Sequence, residues 1–287
     1  MLKRPARVAA IHDLSGFGRC SLTVILPLLS VMGVQAVPVP TAVLSTHTGG
    51  FQDIAVRDLS DYIVPALEQY KKEKIGFECI YTGFLASEQQ IDDCIRFMDA
   101  YPEAMAFVDP VMGDHGKMYR TYTPQLCARM RELVRRANII TPNTTEMSLL
   151  LNEPYCPEPL THQEFKTKLL KLSELGPSTV IVTGVELADM TINNVGYDRE
   201  HNTFWRVKCS YVPVNYPGTG DIFAGIVVGS ILKGDSLPIA MERATRFLEL
   251  AIKTTFSYST DPRYGVLLEQ TLPWLCKEQV LDHYEVL

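Results

Sequence analysis

A chain of 287 residues, 46% hydrophobic and 21% charged, has ordinary globular composition and enough length to bury a large core. Its net charge of −6, with no long block of basic residues, argues against a general nucleic-acid binder. Seven cysteines, odd in number, widely spaced and without a C-x-x-C pair, argue against both structural zinc and a disulfide framework.

The first stretch, MLKRPARVAAIHDL, lacks the apolar core and small-residue cleavage site of an export signal. It contains a strand over 7–13, followed by a helix over 20–32. Strand and helix then alternate: strand 34–44, helix 59–74, strand 79–84, helix 87–101, strand 104–111, helix 124–136, strand 138–142, helix 144–151. A Pro-rich loop over 153–162 leads to a helix over 162–175 and a strand over 179–184. Two consecutive strands, 190–197 and 203–211, precede the final helices, 219–233 and 237–255. This alternation predicts an α/β protein with a mostly parallel sheet covered on both faces. VAAIHD and TVIVTG read as the continuous apolar runs of doubly covered strands. The paired strands after Gly184 predict an antiparallel addition at one edge. No linker, repeat or low-complexity tract interrupts the chain, so one domain over 1–287 is expected. The apolar runs at 24–29 and 222–232 are too short to span a bilayer. A soluble cytoplasmic protein with free thiols is expected.

In such sheets ligands sit beyond the carboxyl ends of the strands. The polar residues there are His12–Asp13, Ser45–Thr48, Thr82–Phe84, Asp109–Asp114, Thr141–Glu146 and Thr183–Gly184. A glycine-rich run, YPGTGDIFAG, opens the helix at 219. The chain has no P-loop pattern, and G-x-G-x-x-G fails from both Gly218 and Gly16. The run can be a turn and helix cap. It can also be an anion site, with glycine N–H groups turned inward beside the positive end of a helix. Asp221 would oppose a permanently bound anion, but it suits a phosphoryl group in transit whose acceptor hydroxyl must lose a proton. Elsewhere, Asn143 or Thr144 can cap a helix with Glu146 in support, and Asp109 can form a turn before Pro110. Taken together at one end of one sheet, these carboxylates and threonines fit a metal–nucleotide site, with oxygen ligands suited to magnesium or potassium.

The ordered set PGTGDIFAGI, TAVLSTHTGGF, YTGF, VDPVMGD, KMY, ITPNTTE and VIVTG resembles the ribokinase superfamily, and within it the pyridoxal kinase branch. The resemblance implies a three-layer α/β/α ribokinase-like fold and ATP-dependent phosphorylation of the 5′-hydroxymethyl group of pyridoxal, pyridoxine or pyridoxamine. It implies Asp221 as catalytic base, with Gly218, Thr219 and Gly220 as backbone donors to the phosphoryl group. Asn143, Thr183 and Tyr119 would line the ATP phosphates. Asp109 and Glu146 would help hold Mg2+, partly through water, and Asp109, Thr141 and Thr183 resemble the surroundings of a monovalent cation, K+. Ser45, His47 and Thr48 belong to the segment that borders the substrate pocket, with Thr46 replacing that run's asparagine. A homodimer is expected on the same ground.

Some positions depart from that branch. His12 stands where a serine usually bonds the ring nitrogen, and Phe84 replaces a tyrosine. His12 can be a strand-end histidine bonded to backbone, or it can bond a ring nitrogen or hydroxyl of the substrate. Phe84 can stack on substrate or be a core aromatic. DLSGFGRC (13–20) resembles the start of the hydroxymethylpyrimidine kinases, which would make Asp13 a pocket residue, but the glutamine those kinases present near 41–48 is missing. Hydroxymethylpyrimidine kinase, or dual use, is therefore the alternative. A non-catalytic vitamer or nucleotide sensor is a further reading, against which the intact GTGD argues. His162, His201 and His283 read as surface residues, and Lys117 as a solvated loop charge.

Overall fold

The computed structural model describes residues 4–120, 122–210 and 212–287 of the protein. Its strands are β1 (Arg7–Phe17), β2 (Gln35–Thr46), β3 (Val56–Asp58), β4 (Cys79–Thr82), β5 (Met105–Val108), β6 (Gly113–Asp114), β7 (Lys117–Met118), β8 (Ile139–Ile140), β9 (Thr179–Glu186), β10 (Ile192–Asp198), β11 (Thr203–Lys208) and β12 (Tyr284–Val286). Ten of them form one sheet in the order β12-β11-β10-β9-β8-β5-β4-β1-β2-β3, while β6 and β7 form a separate hairpin. From β2 through β1, β4, β5 and β8 to β9 every pairing is parallel. β9 to β12 pair antiparallel, and so do β2 and β3. The sheet therefore has antiparallel strands at both edges, where the sequence pattern announced one. β3, β12 and the hairpin strands, at two or three residues each, are too short to carry a periodic signal.

Several boundaries differ from expectation for identifiable reasons. β5 ends at Val108 and β8 at Ile140, each shortly before a proline that cannot donate to a ladder. β1 runs past Asp13 to Phe17, with a register shift against β2 between His12 and Leu14. β11 stops at Lys208, and Tyr211, the expected strand end, lies outside the described residues. Residues 1–3 of the N-terminal stretch lie outside them too.

Period-two alternation along the strands sorts side chains into two cores. Ala9, Ile11, Ile80, Val108 and Val182 face one core, which is closed by α2 (Ser60–Lys72), α3 (Glu88–Ala100), α4 (Pro124–Val134), α5 (Thr144–Leu151) and α6 (His162–Glu174). Val8, Ala10, Tyr81, Phe107 and Ile181 face the other, closed by α1 (Leu22–Val31), α7 (Thr219–Leu232) and α8 (Leu237–Ser257). The result is helix, sheet, helix. α7 is buried continuously from Ile222 to Ser230, which is why it reads as apolar on every side. Leu22, Ile25, Leu28 and Leu29 of α1 belong to the same core as Ile222, Phe223 and Ile226 of α7. A short helix, α9 (Leu268–Thr271), follows near the C-terminus. Among the described residues no helix is long and apolar enough to cross a membrane.

Leu28 is fully buried in the core shared by α1 and α7. Leu28→Ala should lower unfolding free energy by about 2–5 kcal/mol, read as a reduced urea midpoint at unchanged slope.

Candidate active site

β1 lies between β2 and β4, so the chain order reverses about it. In doubly wound sheets this reversal opens a crevice at the carboxyl ends of the strands. His12 lies midway along β1, just past Ile11, where the pairing with β4 ends, and it continues the Val8–Ala10 face, the one that α7 covers. Its ring therefore meets the start of α7. Nε2 lies 3.0 Å from Asp221 Oδ1, and Nδ1 lies 2.8 Å from Asp13 Oδ1. Gly83, after β4, leaves the room: a Cβ there would stand 1.8 Å from the ring Cδ2. Burial alone would lower the His12 pKa, but the charges of Asp221 and Asp13 and the bonds to them raise it to about 10. Asp13 responds in the opposite direction: burial would raise its pKa, yet the bond to His12 and the charge of that ring hold it below the ordinary value.

The second oxygen of Asp221 accepts the Ser21 N–H at 2.7 Å. Ser21, at the cap of α1, holds φ 55° and ψ −141°, a conformation disfavoured for a residue with a Cβ. Such local strain is characteristic of functional sites. Gly218 caps α7 at φ 81°, and a Cβ there would stand 2.0 Å from the Arg19 carbonyl oxygen. The N–H groups of Thr219, Gly220 and Asp221 follow in the first turn, where no intrahelical acceptor exists. With the helix dipole behind them they form an anion-binding end.

A cleft of about 580 Å³ opens on one side of Asp221. Asp109, Tyr119, Thr141, Asn143, Glu146, Thr183 and Gly218 to Gly220 all line it. Asn143 caps α5 in a reciprocal capping box: its Oδ1 accepts the Glu146 N–H, and Glu146 Oε2 accepts the Asn143 N–H. Asn143 Nδ2 donates to the Gly113 carbonyl, so both ends of its amide are already occupied. Glu146 Oε1 accepts the Met112 N–H, which commits both carboxylate oxygens to backbone donors. Among the described residues, buried Thr141 Oγ1 has no hydrogen-bond partner. That orphaned oxygen, beside the buried Asp109 carboxylate, fits a hard cation bound directly; Glu146 fits one held through water. Burial and the charge of Asp221 raise the Asp109 pKa to about 7, and burial and Asp109 raise that of Glu146.

On the other side of Asp221 is a cavity of about 180 Å³, lined by His12, Asp13, His47, Thr48, Phe84 and Tyr119 among others. The His47 ring is fixed, since Nε2 lies 2.6 Å from the Arg263 carbonyl and Nδ1 accepts the Gly49 N–H. Ser45 does not line this cavity. Its neighbour Leu44 does, and alternation along β2 turns Ser45 to the opposite face. There its Oγ accepts the Ala55 N–H and ties β2 to the segment before β3. Both His12 nitrogens face carboxylates, so neither is left over for a substrate ring. Sequence reasoning missed Ser21, whose contribution is a backbone N–H, and Ser15, which donates to Asp13 Oδ2. It also missed a third hollow next to the large cleft, lined by Asn194, Cys209, Thr245, Leu248 and Ile252. These residues sit in β10, on the apolar face of α8 and in the loop after β11, and carry no motif.

A family model described as phosphomethylpyrimidine kinase matches residues 26–263. The chain belongs to that family. A crystal structure from Bacteroides thetaiotaomicron, provisionally assigned as a phosphomethylpyrimidine kinase and solved with pyridoxal, is 42% identical; the match covers 99% of this chain and 100% of that one, with TM-score 0.94. The pyridoxal kinase of Lactobacillus plantarum is 30% identical over 95% of this chain and 97% of that one, with TM-score 0.87. The thiamine biosynthetic bifunctional enzyme of Arabidopsis thaliana is 27% identical over 82% of this chain, which spans only 44% of that enzyme. The resemblance carried by PGTGDIFAGI and its companions is thus borne out at the level of family and fold. Kinase chemistry comes with the family.

Gly218→Ala should abolish most phosphoryl transfer, because both the positive φ and the Arg19 carbonyl oppose a Cβ; steady-state turnover checks this. A second expectation concerns pH. Asp109 binds its proton more tightly folded, at about 7 against an ordinary value of 3.8. The folded state then holds the extra proton, so metal-free stability should fall as pH rises from about 5 to 8. Urea unfolding across that window should show the fall, and Asp109→Asn should flatten it.

Proposed function

We propose that the protein is an ATP-dependent kinase that phosphorylates the 5′-hydroxymethyl group of pyridoxal, pyridoxine or pyridoxamine. The observation that carries this reading is Asp221, which lines both the small cavity and the large cleft at the N-terminus of α7. The small cavity suits a flat heteroaromatic alcohol, with His47, Thr48 and Phe84 on its walls. The large cleft suits the polyphosphate, with Tyr119 standing between the two. The pyridoxal bound to the Bacteroides relative supports the choice of substrate.

In this reading the substrate hydroxyl attacks the γ-phosphorus of ATP. A new P–O bond forms, the bond to the β–γ bridging oxygen breaks, and ADP departs with that oxygen. Asp221 orients the hydroxyl and takes its proton late in the transfer. The N–H groups of Gly218, Thr219 and Gly220 meet the charge on the transferring group. Asp109, with Glu146 through water, would hold Mg2+, which supplies charge neutralisation on the phosphates. Thr141 and Thr183, with Asp109, would hold K+. We place the protein in the cytoplasm, as a homodimer of single-domain chains.

Hydroxymethylpyrimidine is the second reading. It is favoured by the family description and by the Asp13–Ser15 pair beneath the small cavity.

The test is transfer from ATP to each of the three vitamers and to hydroxymethylpyrimidine. Transfer to at least one vitamer is expected, and Asp221→Asn should cut turnover roughly 10²–10⁴-fold while ligand binding persists. Transfer to the pyrimidine alone would move the assignment to the second reading. Binding without turnover in wild type and variant alike would mark a sensor.

A further inference from the structure

Asp221 sits in the first turn of α7, where a carboxylate is drawn to the unpaired N–H groups of its own helix. Those are the same N–H groups that a transferring phosphoryl group needs. Yet neither oxygen of Asp221 is bonded to them. Oδ1 faces His12 Nε2 at 3.0 Å, and Oδ2 accepts the Ser21 N–H at 2.7 Å. The carboxylate is held away from its helix by groups from β1 and from the cap of α1.

The His12 ring is itself held from behind. Nδ1 lies 2.8 Å from Asp13 Oδ1, and Asp13 Oδ2 accepts the Ser15 hydroxyl at 2.8 Å. His12 and Asp13 are 2% and 5% exposed and Ser15 is fully buried, so no solvent competes. Backbone N–H groups of Asp13 and Phe84 also approach the two ring nitrogens, at 2.9 and 3.3 Å. With a carboxylate at each end, however, the ring must donate at both nitrogens. Among the described residues no lysine or arginine lines the large cleft or the small cavity, which share Asp221 and hold Asp13, Asp109 and Glu146 as well. His12 is the buried cation among these acids.

We propose that His12 is a positioning residue for phosphoryl transfer. Locked by Asp13 and Ser15, it holds the Asp221 carboxylate off the N-terminus of α7, so that the helix N–H groups stay free for the phosphoryl group and a carboxylate lone pair stays free for the hydroxyl. His12 acts through Asp221 and does not recognise the substrate ring. This rests on Asp221 being the base.

The experiment compares His12→Gln, His12→Asn and Gly83→Ala in turnover and in equilibrium binding. The acceptor is whichever of pyridoxal and hydroxymethylpyrimidine the wild type phosphorylates. A glutamine amide can reach the Nε2 position and keep a donor on Asp221, whereas an asparagine amide reaches only the Nδ1 position and keeps the bond to Asp13. Gly83→Ala pushes the ring from outside. Loss of kcat by about 10-fold for His12→Gln and about 100-fold for His12→Asn and Gly83→Ala is expected, in proportion to the loss of orientation. Dissociation constants for the alcohol and ATP should stay within about threefold, a bound far below these kcat losses. If His12→Asn does not fold, His12→Gln and Gly83→Ala decide. Unchanged kcat in the variants would overturn the proposal, as would Asn matching Gln or a matching loss of alcohol affinity. Asp221→Asn separates the two levels. If it turns over normally, the base reading fails and takes the proposal with it; if it is inactive while the His12 and Gly83 variants are not impaired, only the proposal fails.

Discussion

The site depends on one contact, the meeting of β1, just past the end of its pairing with β4, with the first turn of α7 through His12 and Asp221. Side-chain alternation along β1 places His12 on the face that α7 covers. The missing Cβ of Gly83 gives the ring its seat, and the reversed backbone at Gly218 brings the helix end close to Arg19. Ser21 completes the arrangement from α1 at the cost of an unfavourable backbone conformation. The packing of α1 against α7 is therefore more than core. It holds two of the three partners of this contact at hydrogen-bonding distance.

Around that contact the protein buries more negative charge than it neutralises. Asp13 is matched by His12, and its pKa falls. Asp109 and Glu146 have no such partner, and burial and a neighbouring carboxylate, Asp221 for Asp109 and Asp109 for Glu146, push theirs up. A cluster of this kind is unfavourable for an empty folded chain, because desolvated carboxylates repel one another. Under the proposed function it would become favourable once a divalent cation and a polyphosphate were bound together. In that reading, stability given up in the empty protein would be the counterpart of charge complementarity in the loaded one.

Much of the fold was legible because the central strands are apolar throughout and alternate with amphipathic helices. The glycine-rich run was legible because its chemistry is local: Gly218 to Asp221 are neighbours in sequence and remain neighbours in space. Asp109 and Thr141 stood out because each directly follows a buried strand, and Thr183 because it ends the apolar run Val180–Val182 within β9. What escaped was set by long-range geometry. His12 and Asp221 are 209 positions apart, and nothing in either segment announces the other. Ser45 lies off the small cavity: membership of a pocket-bordering segment does not say which alternate residue faces inward. Asn143 drew two readings, cap and phosphate contact, and its capping box with Glu146 accounts for the side chain in the folded chain.

The most direct measurement is a crystal structure of the protein with a non-hydrolysable ATP analogue, magnesium and its acceptor alcohol. The account predicts the hydroxymethyl oxygen within about 2.6–3.2 Å of an Asp221 oxygen. It also predicts the γ-phosphoryl at the first turn of α7, with the His12–Asp221 contact intact. A hydroxyl turned to some other group, or His12 released from Asp221 to bond the substrate ring, would contradict it.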